Sequence, residues 1–166
     1  MTPASNTIPT IYLRPGEHFF TVTPAIVSTV LGSCVSITMH NPKDQLSAIC
    51  HAVLPKEIIP GEPYRYVDSS IAAMLRIFDW YGVTKNDIEV KLFGGSDILP
   101  PSENSYQEMT VGKQNIFQAQ KCFEREQLKL LAYDVGGTRG RKLFFHTHTG
   151  EIYLKRLRNI TRGSCE

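Results

Sequence analysis

Two side chains in this 166-residue chain have the types and spacing for nucleophilic chemistry. One is Cys34, in the run Ser28-Thr29-Val30-Leu31-Gly32-Ser33-Cys34-Val35, and the other is His51. A free thiol titrates near 8.5, so only a few per cent is ionised at neutral pH and a base within hydrogen-bond reach is needed. Gly32 and Ser33 suit a tight turn that exposes a sulfur and aims backbone N–H groups at a developing oxyanion. The chemistry such a pair can do is attack on a carbonyl carbon through a covalent acyl-enzyme.

The elements around the pair must bring it together. Val35 to Met39 is apolar or β-branched, so Cys34 opens a strand. His51 lies in the next apolar run, Leu46 to Leu54. Consecutive strands usually pair. A hairpin about Asn41-Pro42-Lys43-Asp44 places Cys34 and His51 at the ends opposite the turn. Cys50 is the rival thiol, but neighbours on a strand point to opposite faces, so it is turned away from His51 and packs with Ile49, Ala52 and Val53. Cys122 falls inside a helix and Cys165 in the tail, neither beside a histidine or tight turn.

His146-Thr147-His148 shares a strand face, but no third ligand has a fixed spacing, so no metal is expected. Gly136-Gly137-Thr138-Arg139-Gly140-Arg141 lacks the GK[ST] ending of a phosphate-binding loop and opens no helix. It reads as a turn with two solvated arginines or, more sharply, as a loop where Arg139 and Arg141 face a substrate or partner. Gly94-Gly95-Ser96 reads either as a strand end or as close backbone approach near a site. Gly32, Ser33, Gly94 and Gly95 join the two arginines as substrate- or partner-facing candidates.

Along the chain, residues 1–14 and 157–166 read as loose arms around one domain spanning 1–166. His18 to Val22 is a strand closed by Pro24, and Ala25 to Leu31 is extended. Tyr66 to Tyr81 is the clearest helix, capped by Asp68 or Ser69, with Val67, Ile71, Met74, Leu75 and Phe78 on one face and Gly82 ending it. Ile88 to Phe93 is a strand and Ile98 to Gln107 a loop. Lys113 to Gln127 is a second helix with Ile116, Ala119 and Phe123 inward. Lys129 to Val135 is a strand. Lys142 to His146 and Glu151 to Lys155 form a hairpin about Thr149-Gly150. Many strands with two partly segregated helices give an α+β class: a layered sandwich of mixed, largely antiparallel sheets with two long helices packed outside.

Composition narrows the function. With 42% hydrophobic and 20% charged residues the chain can bury a sizeable core. A net charge of +2 argues against a nucleic-acid binder. The apolar runs are too short to span a bilayer, and the first residues have no signal-peptide pattern. Four cysteines without a CxxC pair suit free thiols in a reducing, cytoplasmic compartment.

The segments TVLGSCVSITMHNP, ICHAVLP, RYVDSSI, KLFGGSDI, VGKQN and DVGGTRGRKLFFHTHTGEI, in that order over roughly residues 15–157, resemble the CheD family of chemoreceptor glutamine deamidases. The resemblance implies a cysteine-hydrolase sandwich with a papain-like thiol mechanism and no cofactor. It implies Cys34 as nucleophile and His51 as base. The family's third catalytic residue is a threonine six places before the cysteine. That place holds Ser28, with Thr29 next to it, so Ser28 is favoured by register and Thr29 by residue type. The implied substrate is a methyl-accepting chemoreceptor, and the implied further partner is the chemotaxis phosphatase CheC. Competing readings are a thiol esterase or transglutaminase using the same acyl-enzyme, a non-catalytic module docking to receptor and CheC, and a host-directed deamidase.

Overall fold

A computed structural model describes residues 6–98 and 109–158. The strands are β1 (Thr10–Tyr12), β2 (His18–Thr21), β3 (Ile26–Leu31), β4 (Val35–Asn41), β5 (Leu46–Ala52), β6 (Glu89–Gly94), β7 (Leu130–Val135), β8 (Arg141–His146) and β9 (Ile152–Arg156). Helix α1 (Val67–Trp80) precedes β6, and α2 (Val111–Arg125) connects β6 to β7. One sheet has the order β1-β3-β8-β9 and the other β2-β5-β4-β6-β7. The β1–β3 and β6–β7 pairs are parallel and the remaining pairs antiparallel. The two helices pack on the five-stranded sheet. The result is three layers, helices then sheet then sheet, in the α+β class expected.

The pleat of the central hairpin explains the layering. Every residue of β4 and β5 is buried. In β4, Val35, Ile37 and Met39 alternate with Ser36, Thr38 and His40, so one face is apolar and the other polar. The apolar face joins Ile71, Met74, Phe78, Ala119 and Phe123 of the helices in one core. The opposite face meets the four-stranded sheet through a smaller cluster of Leu13, Val27, Leu31, Ile49, Phe93, Leu143 and Phe145. An alternating strand would ordinarily present its polar face to water. Here a second sheet covers that face, and its polar groups must be satisfied internally.

Several sequence expectations need correction. The N-terminal arm is not loose through residue 14. Thr10–Tyr12 adds a parallel strand to β3, Leu13 N–H donates to Ser28 O at 2.8 Å, and the Leu13 side chain is buried. Three residues are too few to show a period, which is why β1 was invisible. At the other end Leu157 is tied to Gly140 O by its N–H at 2.9 Å and to Arg139 Nε by its carbonyl at 2.8 Å.

Neither Asp68 nor Ser69 caps α1. Tyr66 holds the cap position without a side-chain bond, and the first helical N–H groups are met by backbone instead, Val67 to Leu54 O and Asp68 to Pro55 O. Helix α2 starts two residues earlier than expected because Thr110 caps it, and it stops before Gln127, whose φ is +57°. The loop expected over Ile98 to Gln107 lies, apart from Ile98, outside the described residues.

Candidate active site

The hairpin register sets the site. Ser36 is directly opposite His51, and Cys34, two residues along the same strand direction, shares their face. That face is turned toward the four-stranded sheet, where β3 lies. Cys50 is turned the other way, into the helix-facing core, and full burial pushes its thiol up to about 11. Cys34 is only half-buried and packs at the margin of the inter-sheet cluster.

Thr29, fully buried on β3, reaches across the seam to His51. Its Oγ1 lies 2.7 Å from His51 Nδ1 and 2.7 Å from Leu13 O. These two contacts fix the proton positions. Leu13 O can only accept, so the single hydroxyl proton of Thr29 points to it. Thr29 Oγ1 therefore accepts from His51, and His51 carries its proton on Nδ1. The neutral ring then has its lone pair on Nε2. That atom is buried and has no hydrogen-bond partner among the described residues.

Ser28, favoured by register, is not the residue on His51. It neighbours Thr29 on the same strand and so faces the opposite side of the sheet. A β-branched hydroxyl residue also suits the task, because Thr is stiff at χ1 and holds the hydroxyl in one place.

The backbone of His51 is clamped as well. Its N–H donates to Glu17 O at 3.0 Å and its carbonyl accepts from Gly16 at 2.8 Å. Gly16 has φ +82°, which only glycine adopts readily. The arm read as loose thus supplies the Leu13 carbonyl that orients Thr29, and the turn just after it, at Gly16 and Glu17, holds the His51 backbone.

The nucleophile turn is anchored through its carbonyls. Gly32 O accepts from Ser96 N at 2.9 Å, Ser33 O from Asn115 Nδ2 at 2.9 Å, and Cys34 O from Gly95 N at 2.9 Å. Among the described residues, the Ser33 N–H donates to no acceptor and the Cys34 N–H to none beyond its own sulfur.

Burial governs the ionisation of the pair. Desolvation raises the Cys34 thiol above its ordinary value, with its own backbone N–H pulling slightly the other way. Desolvation lowers His51 to about 4, against a weaker upward pull from Glu17. Both shifts favour the uncharged forms, a thiol and a neutral imidazole.

Of the substrate-facing candidates, Gly32 and Ser33 are half-buried at the turn, with the Ile98 side chain laid over Gly32. Gly94 and Gly95 are buried and serve packing. A Cβ on Gly94 would sit 2.3 Å from Cys34 O, and one on Gly95 would sit 2.5 Å from Ile116 Cγ1 and 2.9 Å from Gly112 O. Arg141 faces no partner either. It is 1% exposed and donates to Asp134 at 2.6 Å, Ser96 Oγ at 2.6 Å and Gly136 O at 2.8 Å. A buried guanidinium must be paired, and this one ties the ends of the two sheets together. Arg139 is exposed, its Nε bound to Leu157 O.

Asn115 escaped sequence reading. Its signal was a polar residue in the buried stripe Gly112, Asn115, Ala119 and Cys122 of α2.

A half-buried thiol and an imidazole held by a buried hydroxyl share one face where the two sheets meet, the side-chain types of a thiol-hydrolase site. The family described as CheD chemotactic sensory transduction matches residues 53–156. The chain is 49% identical over 164 residues to a probable chemoreceptor glutamine deamidase CheD 2 of Geobacter sulfurreducens, covering 99% of this chain and all of that one. It is 41% identical to a probable chemoreceptor glutamine deamidase CheD of Maridesulfovibrio salexigens, covering 89% of this chain and 91% of that protein. It is 38% identical to a protein of the same name from Nitratidesulfovibrio vulgaris, covering 89% and 77%. The chain belongs to the CheD family.

Proposed function

We propose that the protein is a chemoreceptor glutamine deamidase, with Cys34 as nucleophile, His51 as general base and acid, and Thr29 as the residue that orients the imidazole. The observation that carries this reading is the Leu13–Thr29–His51 chain, which leaves an unprotonated Nε2 on the face that Cys34 shares. Family membership and the names of the relatives agree with it.

The reaction runs in two halves. His51 Nε2 takes the Cys34 proton as Sγ attacks the side-chain amide carbon of a receptor glutamine. The tetrahedral oxyanion is received by the N–H groups of the Ser33–Cys34 turn. The new imidazolium, still donating from Nδ1 to Thr29, gives its Nε2 proton to the amide nitrogen. The C–N bond breaks, ammonia leaves and a glutamyl thioester remains. A water then loses its proton to Nε2 and attacks the thioester, and the returning proton restores the thiol as glutamate departs. Each cycle places a negative charge on the receptor and so biases its packing through local electrostatics.

A groove for the substrate chain lies next to the loops that hold His51, although neither Cys34 nor His51 lines it. A cleft of about 600 Å³ is lined by Pro15, Gly16, Val53, Gly61, Glu62, Pro63, Tyr64 and Arg65. Gly16 donates to the His51 carbonyl, and Val53 follows His51 by two residues. The family resemblance extends the proposal to the phosphatase CheC, which would compete with the receptor for the protein, and to the cytoplasm as the place of action.

Mass spectrometry of receptor peptides tests the reading. Each deamidation adds about one dalton, the mass difference between an amide and an acid, through the acyl-enzyme route. Cys34→Ala is expected to add none. Deamidation that persists in Cys34→Ala and disappears in Cys50→Ala would overturn the choice of thiol.

A further inference from the structure

We infer that Asn115 is a positioning residue for the reaction, setting the separation of Cys34 and His51 through two backbone carbonyls. The inference rests on the deamidase reading and assigns a residue that the reading itself leaves out. Asn115 lies in the second turn of α2, on the far side of the central sheet from Thr29, and is completely buried. Its Nδ2 donates to Ser33 O at 2.9 Å and to Val53 O at 3.0 Å. Ser33 immediately precedes the nucleophile, and Val53 follows the base by two residues, just past the end of β5. Both acceptors are carbonyls, so the amide must present both of its N–H groups to them, and its orientation is fixed by chemistry.

One carboxamide therefore spans the open end of the hairpin at the point where the strand ladder has stopped. The last paired residues there are Val35 and Ala52. Without Asn115, the carbonyls of Ser33 and Val53 would share no direct link beyond that pair. The helix that carries Asn115 is itself seated without play. Gly112, one turn earlier, touches the Gly95 carbonyl so closely that a Cβ would lie 2.5 Å from it. Gly95 in turn donates to Cys34 O. The first turns of α2 thus reach the nucleophile by two routes, one through Gly95 and one through Asn115.

The oxygen of the same carboxamide argues that more than packing is at stake. Asn115 Oδ1 is buried with no hydrogen-bond partner among the described residues. A buried unpaired amide oxygen lowers stability, and most such groups in folded proteins are satisfied. An apolar residue would fill the position without that cost but could not bind the two carbonyls. The arrangement fits a side chain kept for where it holds the backbone.

The test compares wild type, Asn115→Ala and Asn115→Asp in full-length protein. The readouts are steady-state deamidation of a receptor peptide and the pH dependence of Cys34 alkylation by iodoacetamide. Positioning predicts that kcat falls by roughly ten- to a hundredfold while KM stays within about twofold, because a small misplacement of reacting groups acts on the chemical step. It also predicts that the alkylation midpoint moves down toward that of a free thiol, because a released turn exposes the sulfur to water.

Asn115→Asp keeps the shape but, buried against two carbonyls, is held protonated and offers one donor for two acceptors, so it should lose kcat, less severely than Ala does. Phe123→Leu, in the same helix and remote from the turn, is the stability control and should leave both readouts unchanged. Unchanged kcat in folded Asn115→Ala, or an unmoved alkylation midpoint, overturns the inference. So does failure of both variants to fold, which assigns Asn115 to the fold alone. A wild-type protein that deamidates nothing while Cys34 alkylates normally would instead overturn the deamidase reading.

Discussion

The hairpin β4–β5 carries two histidine–hydroxyl pairs on one face, and they obey the same hydrogen-bond logic. At the open end, His51 Nδ1 donates to Thr29 Oγ1, which donates to Leu13 O. At the closed end, His40 Nδ1 lies 2.7 Å from Ser47 Oγ, which donates to Thr147 O at 2.6 Å. Each imidazole is almost wholly buried, and burial lowers the pKa of each. They part in what stands on the other side of the ring. His51 shares its face with a half-buried thiol at a glycine turn. His40 packs against Gly150, close enough that a Cβ there would sit 2.6 Å from its Cδ2. A buried histidine oriented by a hydroxyl is therefore a device for filling a polar seam. In the deamidase reading, what sets His51 apart is the thiol on its face, which His40 lacks.

The largest effect should fall on one pair and miss the other. His51→Ala is expected to lower deamidation by about a hundred- to ten-thousandfold, the usual contribution of a general acid–base group. His40→Ala should leave the activity of the folded protein within about threefold and lower its stability by about 1–3 kcal/mol, the range for a disrupted buried polar contact. Denaturant unfolding and peptide turnover measured on the same preparations separate the two outcomes. Equal losses of activity would erase the distinction.

Acid should weaken the seam itself. His51 titrates at about 4 when folded and near 6.5 in the unfolded chain. Between those values the unfolded state binds the extra proton, so stability is full above pH 6.5 and declines as the pH falls toward 4. The loss from His51 is on the order of 3 kcal/mol, and His40, also lowered by burial, adds to it with the same sign. Urea midpoints taken across this range check the slope. His51→Phe should flatten it in part, and a slope that His51→Phe leaves intact would contradict the assignment.

Removing the hydroxyls gives a smaller contrast. Thr29→Val keeps the shape and should reduce kcat by roughly tenfold, about 1.4 kcal/mol at the transition state, since the ring loses the acceptor that fixes its tautomer. Ser47→Ala should cost about 1 kcal/mol of stability and leave kcat in place. Smallest of all, Ser28→Ala should change kcat by less than about twofold, as expected for a side chain on the other face of its strand.

Much of this was legible in the residues. The pleat period separated Cys50 from His51, and the hairpin turn put Cys34 and His51 at one end. The choice between Ser28 and Thr29 was not legible, because it depends on which face of β3 meets the other sheet. That is settled by packing between strands far apart in sequence, β3 with β8 and β1. Nor did the sequence announce that the polar face of β4 would be covered. For the same reason Arg141 read as solvated: its partners, Asp134 and Ser96, come from other strands or their ends. Burial of the seam is also why the pair is neutral, a property of the assembled layers and of no local motif.

The central claim is that Cys34 is activated at the moment of attack by a neutral His51. It is tested most directly by the ultraviolet thiolate absorbance of wild type minus that of Cys34→Ala, followed from pH 5 to pH 11. The account predicts no Cys34 thiolate at pH 7 and its appearance only at alkaline pH, with the peptide deamidated at pH 7 nonetheless. A thiolate present at pH 7 that vanishes in His51→Ala would contradict it, because it would mean a standing ion pair.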